Sequence, residues 1–488
     1  MSSSAPTTTL SARGNRAKQR PFTYFDAFVR TFSDSYDAET NPRGFINLAV
    51  AQNQLTVDAI QQRLREAFAK EGIIPDSSAS YDDMKGSARL RKAMAVHLRT
   101  RVASAGMTTT AVADALDNAL TPENIIISSG AGAVIENLAF CVANEDDFVM
   151  IPAPYYPAFP NDLRARLGVD CAPVRRGAFA HVEYERLDSA VHKVDQNDVL
   201  ASLFHLPTPE DFARDAHKMI EAKKRRAGGE YGGKCAAVII CNPENPSGVR
   251  YDGQEVANVV EWAVNNRIHV IIDEVYACST FNESKPHSSG FDIALSRGDA
   301  DSLYKDYVHV IYSLSKDFCA SGYRIGALWT RNAEIHRSMD NVCYFCAVPG
   351  PFQSALSDVM EDDGWMDWFV AENARRLKAQ YDCLVEELGA LNELSDDFDL
   401  DTRMVTPASG MFVFIDLSPF LRDASVDGPA SETAFWNDIY DEAKLVLTPG
   451  RDCEMNIVGW YRICFASVSR ETLTTGIRRL VDVIRARR

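Results

Sequence analysis

Five short runs rich in valine and isoleucine, each closed by a glycine or polar cluster, constrain the chain most. They are 124–128 (NIIIS), 148–151 (FVMI), 236–241 (AAVIIC), 269–272 (HVII) and 308–312 (VHVIY). Runs that lack polar alternation suit strands covered on both faces, and the helical stretches between them suit the crossovers of a mostly parallel, doubly wound α/β sheet. The composition can fill such a sheet, since 46% of the 488 residues are apolar and 24% charged. Thr208-Pro209-Glu210-Asp211 combines an N-cap, a first-turn proline and an acidic start, and predicts a helix to about Arg226, stopped by Gly228-Gly229. The stretch 177–233 is long for one crossover and predicts a surface insertion. After about Val348, a helical stretch (352–388) leads into strand-like segments at 410–417 and 460–465, which predicts a second, smaller α/β domain. The expected division is a disordered tail (1–20), an N-terminal segment joining the small domain (21–75), a large domain (76–347) and a small C-terminal domain (348–488).

Charge and cysteine content narrow the function classes. Lys and Arg number 51 against 68 Asp and Glu, a net charge of −17 that argues against a nucleic-acid binder. No apolar run approaches the roughly 20 residues of a membrane span. Eleven cysteines and no apolar segment near the start point to a reducing, cytoplasmic setting. Cys343-x-x-Cys346 lacks the second pair or histidine cluster a metal site needs, so no metal is expected. Residues 1–20 are rich in Ser, Thr and Ala, with basic residues and no acids. That composition also suits an organelle transit peptide, although a disordered tail is the simpler reading.

In open α/β sheets, ligands bind beyond the carboxyl ends of the strands. Here those ends carry Ser129-Gly-Ala-Gly132, Pro154-Tyr-Tyr-Pro157, Asn242-Pro-Glu-Asn-Pro246, Asp273-Glu-Val-Tyr276 and Ser313-Leu-Ser-Lys316. Small residues opening the helix after 128 would let backbone N–H groups approach an anion, although a lone Gly-x-Gly equally suits a tight strand–helix turn. Lys316 at a strand mouth, with Ser313 before it and Arg324 after it, suits a Schiff-base lysine beside a phosphate: desolvation and a nearby cation favour the free amine. Asp273, ending a buried strand, needs a cation, which a pyridinium N–H provides. Tyr276 and Asn245 can hydrogen-bond a phenolate oxygen.

Asn245-Pro-Ser-Gly248, Asp273-x-x-Tyr276, Ser313-x-x-Lys316 and Arg324, in this order, resemble fold-type I pyridoxal-phosphate enzymes of the class I/II aminotransferase group. Asn47–Gln54, Pro152–Pro157, Tyr312–Asp317 and Gly459-Trp-Tyr-Arg462 resemble its 1-aminocyclopropane-1-carboxylate synthase-like branch. The resemblance implies pyridoxal 5′-phosphate as cofactor, L-amino acid and 2-oxo acid substrates, and a homodimer. It implies that Lys316 carries the cofactor and shuttles protons, with Asp273 and Tyr276 as its catalytic companions. Asp273 would pair the pyridine nitrogen, and Tyr276 and Asn245 the ring oxygen. Tyr156, or Tyr155 in its place, would stack on the ring. Ala131, Gly132, Ser313 and Arg324 would hold the phosphate. Arg462 would grip the substrate α-carboxylate, with Gln52 and Tyr24 near the substrate.

Two departures bear on function. Where the ring-forming synthases carry a glutamate stands Gln52, and where they carry a tyrosine that reaches the neighbouring subunit's cofactor stands Met84. Neither can do the acid–base work of the residue it replaces. Gly132 also stands where many relatives have threonine. The expected function is therefore a pyridoxal-phosphate aminotransferase. The alternatives are a C–S lyase acting by β- or γ-elimination or a synthase-like enzyme, and a non-catalytic pyridoxal-phosphate-binding protein.

Overall fold

A computed structural model describes residues 9–103, 110–180, 182, 203–229, 231–282, 288–295, 302–422 and 428–487. The strands, in chain order, are β1 (Ile46–Asn47), β2 (Ile125–Ser128), β3 (Phe148–Pro152), β4 (Asp170–Val174), β5 (Cys235–Cys241), β6 (His269–Asp273), β7 (Val308–Ser313), β8 (Gly326–Trp329), β9 (Met404–Val405), β10 (Phe412–Asp416), β11 (Leu445–Val446), β12 (Thr448–Pro449) and β13 (Trp460–Cys464). Seven of them form one sheet in the order β2-β8-β7-β6-β5-β3-β4. All pairs are parallel except those of β8, which runs antiparallel to both β2 and β7. Thus β2, β3, β5, β6 and β7 all point their carboxyl ends to one rim.

The five expected strands are present, each within a residue or so of its predicted bounds. β4 and β8 were not expected. β4 carries Pro173, which cannot donate to a ladder and is tolerated because the strand lies at the sheet edge. β8 is a four-residue Gly-Ala-Leu-Trp run, too short to show a pattern. β5 is buried along its whole length, as a strand covered on both faces must be.

The helix Pro209–Arg226 begins at Thr208, whose hydroxyl accepts from Asp211 N while the Asp211 carboxylate accepts from Thr208 N at 3.0 Å. Removing this reciprocal cap by Thr208→Ala should lower stability by about 1 kcal/mol, read from a denaturant midpoint shift at unchanged slope. Residues 181, 183–202 and 230 of the expected insertion lie outside the described residues. The helical stretch expected over 352–388 is two helices, Gly350–Met360 and Asp363–Leu388. They are broken where Asp362 turns to cap the second by accepting from Trp365 N at 3.0 Å.

The smaller sheet, β12-β13-β10-β9, is antiparallel, and β1 pairs in parallel with β11. Ile46, Leu48 and Ala51 share a core with Leu377, Leu384, Phe412 and Ile477, so the segment around β1 joins the smaller layer. The helices Val57–Ala69 and Gly350–Met360 fall on the small-domain side of the expected boundaries, yet they bury Ile60, Leu64 and Leu356 in the core under the large sheet. Within the tail expected to be disordered, Ala12–Arg16 form a helical turn capped by Ser11, and Arg16 pairs with Glu145 at 3.1 Å. Residues 1–8 of that tail lie outside the described residues. Cys343 and Cys346 are free thiols, and among the described residues no His, Cys, Asp and Glu cluster could hold a metal. No described helix is long and apolar enough to cross a membrane.

Candidate active site

The rim of the large sheet opens on a cavity of about 230 Å³. β7 delivers the lysine. The Ser313 hydroxyl accepts from Ser315 N at 3.1 Å and starts the short turn Leu314–Asp317. The turn is fixed from behind by Asp317, whose carboxylate accepts from Tyr312 Oη and Cys278 N, each at 2.9 Å, and from Ser279 Oγ. Lys316 Nζ emerges into the cavity and donates to the Ala51 carbonyl. Burial, with Arg462 and Arg324 nearby, brings the amine down to about 8 against the opposing pull of Cys464 and Asp273. It is thus partly free at neutral pH.

β6 delivers the acid. Asp273 is 4% exposed and accepts from Val275 N at 3.3 Å. No described side chain forms an ion pair with it, and burial pushes its carboxyl up to about 7. A buried carboxyl without a cation is what a protonated ring nitrogen would complete. Beside it, Asn245 Nδ2 donates to Tyr276 Oη at 3.2 Å, and Asn245 Oδ1 accepts from Arg462 Nη1 at 2.7 Å. Asn245 thereby ties the rim of the large sheet to the smaller layer.

Facing the lysine, the helix Gly130–Val142 opens on the small residues that follow β2, so the Ala131 and Gly132 amides belong to its first turn. Gly130 has φ +85°, and a Cβ there would strike the Arg324 guanidinium. Gly326 sits between Ser128 and Ser313 in the sheet, and a Cβ on it would strike the Gly130–Ala131 backbone. Two glycines therefore let a helix terminus, a strand and an arginine converge on one spot, where Arg324 Nη1 is held by the Ser321 carbonyl at 2.9 Å. Gly130→Ala should displace Arg324 and weaken binding of a phosphorylated cofactor about 10- to 100-fold. That is the roughly 1.5–3 kcal/mol of one charged hydrogen bond, and titration of apo-protein would measure it.

Ala131, Gly132, Tyr156, Asn245, Asp273, Tyr276, Ser313, Lys316 and Arg324 all line this cavity. Tyr156 lines it, whereas Tyr155 lies in the core with Val149 and Ile151. The Ser313 hydroxyl donates to the Ile325 carbonyl at 2.8 Å and lies 2.9 Å from Ser315 Oγ, so it faces the site already engaged. Arg462, Gln52 and Tyr24 are not in the cavity wall, and Arg462 is joined to it through Asn245. Arg462, 2% exposed, donates to Asn245 Oδ1, the Ala49 carbonyl and Thr448 Oγ1. Its Nε has no partner, and no described carboxylate pairs with it. Thr448 donates to Tyr24 Oη at 3.2 Å, and burial raises the Tyr24 phenol to about 12. The Gln52 carbonyl accepts from Cys464 Sγ at 3.7 Å, in the same segment whose Ala49 and Ala51 carbonyls meet Arg462 and Lys316. Ser315, Ser321 and Asp162 line the cavity without having been singled out from the sequence. Ser315 lay in plain view between Ser313 and Lys316. Phe159 and Asp162, one helical turn apart just after Tyr156, offered an i,i+3 signal that only the helix Phe159–Leu167 makes meaningful.

The arrangement suits pyridoxal phosphate: an amine for its aldehyde, an unpaired acid for its nitrogen, a phenol–amide pair for its ring oxygen, and a helix terminus with an arginine for its phosphate. Comparisons with known proteins agree. The chain is 30% identical over 477 residues to 1-aminocyclopropane-1-carboxylate synthase 4 of Oryza sativa subsp. japonica, covering 94% of this chain and 86% of that one. It is 28% identical over 474 residues to 1-aminocyclopropane-1-carboxylate synthase 7 of Arabidopsis thaliana, covering 95% and 92%. The fold matches aspartate aminotransferase from Thermus thermophilus with maleate at a TM-score of 0.67 and 20% identity, over 98% of this chain and 100% of that one. It also matches tyrosine aminotransferase from Leishmania infantum at 0.66 and 18%, over 98% of each. Residues 43–480 match the profile of aminotransferase class I and II. The chain therefore belongs to that family and is a fold-type I, pyridoxal-phosphate-dependent enzyme.

Proposed function

We propose that this enzyme is an aminotransferase acting on an L-amino acid, with Lys316, Asp273 and Tyr276 as its catalytic groups. The cofactor, when bound, supplies an electron sink for a bond at the substrate Cα. Ala131, Gly132, Tyr156, Asn245, Ser313 and Arg324 would hold it. Asp273, anionic once a cation meets it, would pair with the ring nitrogen and favour its protonated form. The Asn245–Tyr276 pair holds the phenol where it can bond a ring oxygen. Lys316 Nζ, as a free amine, would take the substrate Cα proton and hold it as an ammonium for return. Arg462 can exchange its neutral acceptors for a substrate carboxylate and so aim one Cα bond at the ring face.

The observation that carries transamination over ring closure is the pair of side chains at the diverged positions. Gln52 cannot act as a carboxylate base, and Met84 is a partly buried side chain packed against an apolar cluster that includes Ile126 and Val134, without a phenol to offer. A second reading, elimination from a sulfur-bearing amino acid, draws on the synthase names of the curated relatives. Purified protein mixed with an L-amino acid panel and 2-oxoglutarate separates the two by mass spectrometry. Glutamate and a new 2-oxo acid are expected. Ammonia and a 2-oxo acid without any amino acceptor would establish elimination instead, and release of a cyclic amino acid would establish ring closure. We further propose a homodimer in the cytoplasm. The largely exposed aromatic rings of Tyr81, Tyr344 and Phe345 are apolar surface that a second copy would cover.

A further inference from the structure

Asp162 stands in the wall of the cofactor cavity beside Gly132, Arg324 and Ser321. Both of its carboxylate oxygens lie about 4 Å from the point where a Gly132 Cβ would be, at 3.9 and 4.0 Å. Gly132 has no side chain to fill the gap, and its φ is not in the left-handed region, so nothing in the backbone demands glycine there. Among the described residues Asp162 has no ion-pair partner, although Arg324 lies close enough to act on it through space. An anionic carboxylate facing a phosphate across that gap would repel it, whereas a neutral carboxyl carries an O–H.

We propose that the Asp162 carboxyl donates a hydrogen bond to the phosphate of the bound cofactor, supplying the donor that the bare Gly132 position lacks. This rests on the reading of the cavity as the cofactor's seat. Burial, with Glu136 on the facing helix and Asp273 at the end of β6, pushes the acid up to about 7, opposed by Arg324. Lys316 lines the same wall. Tyr156 and Cys171, also close by, are pushed up and stay neutral. A phosphate dianion would raise the acid further, so binding above pH 7 takes up a proton at Asp162. Affinity should therefore fall as pH rises through that range.

Apo-protein titrated with pyridoxamine 5′-phosphate, which has no aldehyde for Lys316, tests this. Asp162→Asn keeps an N–H donor but cannot ionise. The variant should bind within about threefold of the native protein at pH 6 and about tenfold more tightly than it at pH 8.5, since one ionisation changes affinity at most tenfold per pH unit. Ionisation of the ligand's own phosphate is common to both proteins and cancels in the ratio. A ratio constant within twofold across this range would overturn the proposal, as would the same change with unphosphorylated pyridoxamine. The ³¹P resonance of the ligand bound to native protein gives a second readout free of any folding defect. It should shift between pH 6.5 and 9.5, and an unmoving resonance overturns the assignment. Arg324→Ala tests the seat separately: unchanged binding there would show that the phosphate lies elsewhere, whatever Asp162 does.

Discussion

Lys316→Ala should abolish turnover by roughly 10³- to 10⁴-fold, because it removes both the covalent tether and the proton carrier. Among the described residues the cavity wall offers no other amine. Arg324, which also lines it, carries a guanidine group rather than a primary amine, and no described histidine lines it. Borohydride treatment should fix the cofactor to a peptide containing Lys316 in the native protein and leave the variant unlabelled. A visible cofactor absorbance that survives in the variant, or a label on another residue, would remove Lys316 from its role. The Asp317 network that positions the turn does not involve the lysine side chain, so the variant should fold, and unchanged circular dichroism checks that. The lowered amine sets the sign of the pH dependence. Below about 8 the protonated form dominates, and each unit of rising pH increases the free amine about tenfold. Capture of pyridoxal phosphate by apo-protein should therefore accelerate from pH 6 to 8 and level off above 8.5. A rate still climbing steeply at pH 10 would mean an amine with an ordinary exposed pKa.

Much of this site was legible because buried parallel strands announce themselves. A run such as Ala-Ala-Val-Ile-Ile-Cys has no polar face to give water, so it belongs in the middle of a covered sheet, and the residues just past its end must sit at a rim. The residues that escaped notice are those whose role depends on long-range approach. Gly326 looks like the start of any short strand until β8 is threaded antiparallel between β2 and β7, which brings it against the helix terminus of Gly130. Asp162 reads as one more acid on an amphipathic helix until the turn after Tyr156 aims it at the cavity. The packing of Val57–Ala69 under the large sheet was also invisible, because an amphipathic helix records that it has an apolar face and not which core receives it.

Arg462→Lys is expected to raise KM for the amino acid far more than it lowers kcat. β13 holds Arg462 opposite Phe414 on one side and Thr448 on the other, with the guanidinium above the Phe412 ring at 5.5 Å. That fixes the plane of a fork whose neutral acceptors a carboxylate can replace. Lysine keeps the charge and loses the second arm of the fork, and at about 1.5–3 kcal/mol for a charge-assisted hydrogen bond, kcat/KM should fall about 10- to 100-fold. Arg462→Met removes both arms and should cost roughly 10²- to 10⁴-fold on the same arithmetic. Because Arg462 also bonds Asn245, a purely structural effect would disturb the ring-oxygen partners and change the cofactor's spectrum. An unaltered spectrum with a raised KM isolates the substrate contact. The sharper discriminator is a primary amine with the same side chain and no carboxylate. Its slow reaction in the native enzyme should change by less than about threefold in Arg462→Lys, since the interaction removed is one that substrate never made. If both substrates suffer alike, Arg462 organises the site through Asn245 and the carboxylate is bound by another group.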